Sequence, residues 1–202
     1  MAETTPFTIG ANVSCTDGAC GEVTGLIVEP AADTLTHLVV EPKHRHGRGR
    51  LIPVGLVDTS TGQIRLRCTK AEFEQLDPAE ETRQLPDEYP TTTFLGGYDP
   101  ALSVGGRQYV TEDAVPLGEA EVRPGEHVHA TDGHIGQVQG FVVDPASDHV
   151  THVLLQEGHM WGRKAVAIPI GAVSLVDDGI RLSLTKQEVQ DLPPVDIDHP
   201  SE

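Results

Sequence analysis

Aromatic side chains are scarce: one Trp, three Tyr and four Phe serve a chain of 202 residues. Any core must therefore be filled mainly by Val, Ile and Leu. Cysteine is scarcer still, and three in this length exclude a disulfide framework. No apolar run approaches the roughly 20 residues a helix needs to span a bilayer. The opening MAETTPFTIG has neither a basic leader nor a long apolar stretch, so no secretory signal is expected and the cytoplasm is the default compartment. Positive charge is also in short supply, with 14 Lys and Arg against 31 Asp and Glu, a net of −17. Such a surface repels phosphate backbones and anionic membranes, which disfavours general nucleic-acid binding and membrane insertion. Catalytic signatures are missing as well. There is no G-x-S-x-G, no Gly-rich phosphate loop, no H-E-x-x-H and no pairing of carboxylates. No catalytic residue and no cofactor are expected.

What is present is an internal repeat. VSCTDGACGEVTGLIVEPAADTLTHLVV from Val13 aligns with VHATDGHIGQVQGFVVDPASDHVTHVLL from Val128, at an offset of 115 over 28 gapless positions. One inserted residue then brings Ile52-Pro53 onto Ile168-Pro169, Gly55 onto Gly171, and Ile64-Arg65-Leu66 onto Ile180-Arg181-Leu182. Thr69 matches Thr185 and Leu76 matches Leu192. The units run over residues 9–76 and 124–192.

Each unit reads as short strands between turns. Thr16-Asp17-Gly18 is a tight-turn signal, and Glu29-Pro30-Ala31-Ala32-Asp33 is another. Gly21–Val28, Leu35–Val40 and Leu51–Val54 read as strands. Ile64, Leu66 and Cys68 alternate with Arg65 and Arg67, the period of a half-buried strand. Each unit closes with a capping box, Thr69-Lys70-Ala71-Glu72 and Thr185-Lys186-Gln187-Glu188, which predicts a short helix. The expectation is a mainly β protein of two small antiparallel barrels, each ending in a short helix. Closure into a barrel removes exposed strand edges.

The order TDG-x2-G-x-V-x-G, a strand, a Pro-containing turn, TH-[LV]-[VL]-[VL], a polar loop and IP resembles the PRC-barrel domain family, and it occurs twice. EGHMWGRK ahead of AIP in the second unit is similar to a loop common in that family. The resemblance covers about two thirds of the chain. It implies small barrels used mostly for binding, and it supplies no catalytic residues. Members include the H subunit of the photosynthetic reaction centre and a ribosome maturation factor. This sequence shows neither the transmembrane helix of the former nor the additional N-terminal domain of the latter.

Between the units lies an acidic linker, residues 77–123, with 10 acidic and 3 basic residues. It holds Tyr89, Phe94, Tyr98 and Tyr109, half of the aromatics, where disordered linkers hold few. Parts of it are expected to pack. The tail, 193–202, is expected to be disordered.

Several side chains invite chemistry. Cys15, Cys20 and Cys68 align with Ala130, Ile135 and Leu184, all apolar, which fits cysteine as a small buried hydrophobe. His44/His46 and His127/His129 are H-x-H pairs, able to present two ligands from one strand face. His134 and His149 could join the second pair, although zinc sites usually need three or four ligands. The aligned residues Ala19, Thr34, Asn12 and Ser14 place these histidines outside the shared scaffold. His37 and His152 sit at matched positions after a Thr and read as fold residues bonded to a neighbouring turn. Asp17 and Asp132 suit local backbone bonding in turns.

The repeat also shows where the copies disagree. The first copy has KHRHGRGR, residues 43–50, and the second EGHMWGRK, residues 157–164. The candidate interaction residues are Lys43, His44, Arg45, His46, Arg48 and Arg50 in one loop, and His159, Met160, Trp161 and Arg163 in the other. Guanidinium forks suit phosphate or carboxylate, and Trp and Arg recur at interface hot spots. These observations point to a non-enzymatic scaffold with a protein partner, with homodimerisation left open. An RNA- or ribosome-associated role through residues 43–50, and a metal-responsive role through the histidines, are the alternatives.

Overall fold

A computed structural model of the chain describes residues 4–42, 49–58, 63–84, 109–157, 164–176 and 179–195. In the first half come β1 (Thr5–Thr8), β2 (Asn12–Cys15), β3 (Gly18–Glu29), β4 (Thr34–Glu41), β5 (Arg50–Pro53), β6 (Val57–Asp58), β7 (Ile64–Leu66) and helix α1 (Lys70–Phe73). The linker supplies β8 (Glu80–Gln84), β9 (Tyr109–Asp113) and β10 (Ala120–Val122). The second half holds β11 (His127–Ala130), β12 (Gly133–Val143), β13 (Val150–Glu157), β14 (Lys164–Pro169), β15 (Val173–Val176), β16 (Gly179–Leu182) and helix α2 (Lys186–Gln190). The protein is mainly β, built from two curled sheets.

The first sheet has the order β5-β4-β3-β2-β7-β6 and the second β14-β13-β12-β11-β16-β15. Matched strands occupy matched places. The expected all-antiparallel pairing is corrected in one respect: β2 pairs with β7, and β11 with β16, in parallel. The crossover that parallel pairing requires is supplied by β3 to β6 in one half and β12 to β15 in the other.

The units do not complete their own sheets. β1 pairs with β12 of the second half, Thr5 opposite Val143 and Phe7 opposite Phe141. β10 pairs with β3 of the first half, Ala120 opposite Val28 and Val122 opposite Leu26. These two strands stand at the repeat offset from one another. Each half thus lends the strand before its first turn to the other half. Gly10 and Gly125, with φ of +86° and +80°, turn the chain back after the lent strand. Only glycine takes that conformation freely. The repeat therefore begins earlier than residues 9 and 124.

A second reciprocal contact lies near the pseudo-twofold. Leu35 N–H donates to Asp148 O at 2.9 Å, and Val150 N–H donates to Asp33 O at 2.7 Å. Asp33 and Asp148 are the two non-glycine residues with positive φ among the described residues, a conformation Asp tolerates better than most. One continuous core results. It joins Leu26, Leu38 and Ile52 of the first half to Val138, Leu155 and Ile168 of the second, with Phe7 and Phe141 between them in the exchanged sheet.

The repeat also ends later than expected. Beyond α1, Ala79 N–H donates to Gly49 O at 2.9 Å, and beyond α2, Val195 N–H donates to Ala165 O at 2.9 Å. Both segments lie along the outer edge of β5 and β14 and cover it. The tail, expected to be disordered from residue 193, is hydrogen-bonded through Val195. Ala79 also joins Ile27, Val39 and Leu51 in a small outer core against which linker residues Ala114 and Val115 pack. Tyr89, Phe94 and Tyr98 lie outside the described residues.

Both predicted helices form on complete capping boxes. Thr69 and Thr185 accept from the N–H of Glu72 and Glu188, whose carboxylates accept in return from the cap residues. Those bonds hold the Glu72 and Glu188 carboxyls below their ordinary range. A carboxyl depressed in the folded state stabilises above its unfolded value and loses that contribution as pH falls through the folded one. Thermal stability should therefore decline in acid less steeply for Glu72→Gln/Glu188→Gln than for the parent, measured as Tm against pH.

Candidate functional site

The repeat makes it possible to sort polar groups by whether both halves use them. Asp17 and Asp132 are used identically, and not for the local turn bonding expected of them. Their carboxylates accept from the N–H of Lys70 and Lys186, at 2.9 Å in both cases. Each turn thus caps a helix start that is distant in sequence, where an anionic acceptor is favoured. These are fold-holding contacts.

His37 and His152 also behave alike. Each imidazole Nδ1 lies 3.1 Å from the hydroxyl of the preceding Thr, Thr36 or Thr151. The partner is therefore the adjacent Thr rather than a neighbouring turn. The halves then diverge. In the first, Thr36 donates to Glu119 Oε2 at 2.6 Å, and His37 lies 3.5 Å from the same oxygen. Thr4 stands at the matched place in the second half. Glu119 ties the linker to β4 just before β10 joins β3.

The three cysteines meet at one point. Cys15 and Cys68 are buried, Cys20 is half-buried, and all three belong to or pack against the same core. Thr16 N–H donates to Cys68 O at 3.0 Å, which holds the end of β2 beside Cys68. Cys20 occupies a β-bulge opposite Val13 and Ser14, and its thiol donates to Val13 O at 3.4 Å. Sequence reading gave no sign that Cys68 joins the other two, because that contact depends on parallel pairing of β2 with β7. Burial pushes the Cys15 thiol up to about 12, with Cys20 adding to the shift and Cys68 opposing it. The thiolate is the nucleophile, so Cys15 should alkylate at least about tenfold more slowly than an ordinary thiol at the same pH. Native-state labelling read by peptide mass spectrometry should show Cys20 modified before Cys15.

The histidines of the second half divide. His127, His129 and His134 converge on the β11–β12 hairpin, with His127 Nδ1 2.9 Å from His134 Nε2. Ring centroids stand 4.8 Å apart for His127 and His134 and 5.6 Å for His129 and His134. His149 is elsewhere, bridging to Thr34. Among the described residues no set of three His, Cys, Asp or Glu is arranged to hold a metal.

A polar cleft of about 260 Å³ opens where the linker meets the first sheet, lined by Thr24, Glu41, Glu80, Glu121 and Arg123. Glu121 pairs with Arg123 at 2.9 Å. Glu126 accepts from Arg123 N–H at 3.2 Å, and its carboxyl is raised above the usual range by burial. Leu117 is a large apolar residue left fully exposed, but a single exposed Leu is ordinary.

Of the candidate interaction residues, Lys43, His44, Arg45, His46, Arg48, His159, Met160, Trp161 and Arg163 lie outside the described residues. Arg50 is described, and its guanidinium donates to Leu76 O at 3.0 Å, fastening the end of the helical turn to β5. The two loops occupy equivalent places, one joining β4 to β5 and the other β13 to β14. No protein-family model matches the chain, and no curated protein matches it.

Proposed function

We propose that this chain is a non-enzymatic scaffold whose two PRC-barrel-like units form one interlocked body, and that it binds a protein partner through the loops in which the units differ. One observation carries this reading. The chemically capable groups at matched positions are occupied in holding the fold: Asp17 and Asp132 cap helices, and His37 and His152 bond to their own Thr. What remains distinctive is the pair of loops on equivalent hairpins, one rich in Arg and one carrying Met160 and Trp161. Arg and Trp are the residues that most often anchor interfaces, whereas a duplicated rigid body supplies the positioning.

Affinity capture from native lysate tests it. The parent chain should recover a stoichiometric protein partner, or a second copy of itself. Trp161→Ala or Arg45→Glu/Arg48→Glu should weaken that recovery by tenfold or more, on the order of 1.4 kcal/mol. A nuclease-sensitive complex that falls away with salt, and is lost in Arg45→Glu/Arg48→Glu, would instead identify an RNA-associated factor. A monomeric chain that recovers nothing contradicts the proposal.

A further inference from the structure

The β11–β12 hairpin carries a group of exposed imidazoles that neither the fold nor the proposed scaffold role uses. His127 and His129 alternate on β11 and so share one face. His134 stands on β12 directly opposite His129. All three side chains are exposed. The equivalent hairpin of the first half has Asn12, Ser14 and Ala19 at these places and forms the same strands with the same bulge. The histidines are therefore not required to build the hairpin.

Imidazole chemistry selects the ligand. His127 Nδ1 and His134 Nε2 are 2.9 Å apart. Imidazole nitrogens bind first-row divalent ions at about 2.0–2.1 Å. The 2.9 Å separation is that of a hydrogen bond between the two rings, so they share one proton whose place a divalent ion can take. Imidazole suits copper, nickel and zinc, and among first-row divalent ions copper(II) binds a given nitrogen site most tightly. We infer that His127 and His134 form a surface chelate for copper(II)-type divalent ions, with His129 the nearest additional imidazole and water completing the sphere.

The surroundings bear on this in both directions. Lys186 lies near His134 and opposes a cation. The net charge of −17 favours one at longer range.

Tag-free full-length protein titrated with copper(II) against glycine as competitor, by calorimetry, gives the test. His134→Asn and His127→Asn should each weaken one equivalent of binding by at least about tenfold, the scale of lost ligand support at metal sites. His44→Asn/His46→Asn should leave that equivalent in place. The electron paramagnetic resonance spectrum of the one-equivalent complex should show coupling to at least two nitrogens, and His134→Asn should reduce it. Circular dichroism of the variants should match the parent, since these side chains are exposed. No copper binding by the parent, or affinity unchanged within about twofold in His134→Asn, overturns the inference. So does loss of the equivalent only in His44→Asn/His46→Asn.

Discussion

Replacing Phe7 by Ala should destabilise the whole molecule and be felt first in the sheet of the second half, although Phe7 belongs to the first half in sequence. Phe7 is 2% exposed and sits opposite Phe141 on β12. Truncating a buried Phe costs about 3–5 kcal/mol, from lost transfer free energy and from the cavity left behind. The cavity here would open beside Val143 of the second half and Val54 and Val57 of the first, while the strand that loosens, β1, belongs to the second sheet. Urea denaturation should show the lower midpoint, and hydrogen exchange should rise earliest in peptides covering Val138–Val143. Val122→Ala is the reciprocal variant. It should cost less, since a smaller side chain is truncated, and its exchange should rise over Leu26–Val28 of β3. If Phe7→Ala accelerated exchange mainly in β2 and β3, the assignment of β1 to the second sheet would fail.

The other large effect is expected at Gly21 and Gly136, the second glycine of TDG-x2-G in each half. A Cβ at Gly21 would run into the carbonyl of Glu41, and one at Gly136 into that of Gln156. The obstruction is backbone, so no rotamer relieves it. At these points β3 and β12 are still paired with their hairpin partners β2 and β11 while the ends of β4 and β13 come against their other edge. Gly136→Ala should therefore force the strands apart, at a cost near the upper end of the overpacking range, about 3 kcal/mol. Gly55→Ala and Gly171→Ala are the controls, because nothing lies within 4 Å of a Cβ there. A stability loss for Gly136→Ala no larger than for Gly171→Ala would contradict this account of the curl.

Much of the fold was legible because two copies could be compared. Thr69 and Thr185 announced their helices through a local rule, and a capping box needs only four consecutive residues. The strands from Gly21, Leu35 and Ile64 were legible because β-branched and apolar residues alternate or run together there. The exchange of β1 and β10 was not legible. TPFT and AEV share no identity, and nothing local says whether a strand pairs with its own unit or with the other. The signal was faint: Gly10 and Gly125 at the repeat offset, each three residues after a buried apolar side chain, Phe7 and Val122. The parallel pairing of β2 with β7 was hidden for the same reason, and with it the meeting of Cys15 and Cys68. Asp17 illustrates a different limit. Turn chemistry explains why Asp stands there, but its partner, the N–H of Lys70, is set by tertiary structure.

The interlocking bears on the scaffold reading. The strands that carry the two loops, β4 and β5 in one half and β13 and β14 in the other, belong to halves joined by exchanged strands and a shared core, not by the linker alone. Preorganisation of this kind lowers the ordering cost of binding. It also predicts that variants weakening the exchange reduce partner recovery without touching either loop.

The central claim is that the two halves are one cooperative body. Urea unfolding followed by hydrogen exchange, with peptides from β3 and β12 read in the same samples, tests it most directly. The account predicts one transition, with both peptides losing protection at a common midpoint. Two separated midpoints, with one half protected while the other exchanges fully, would contradict it.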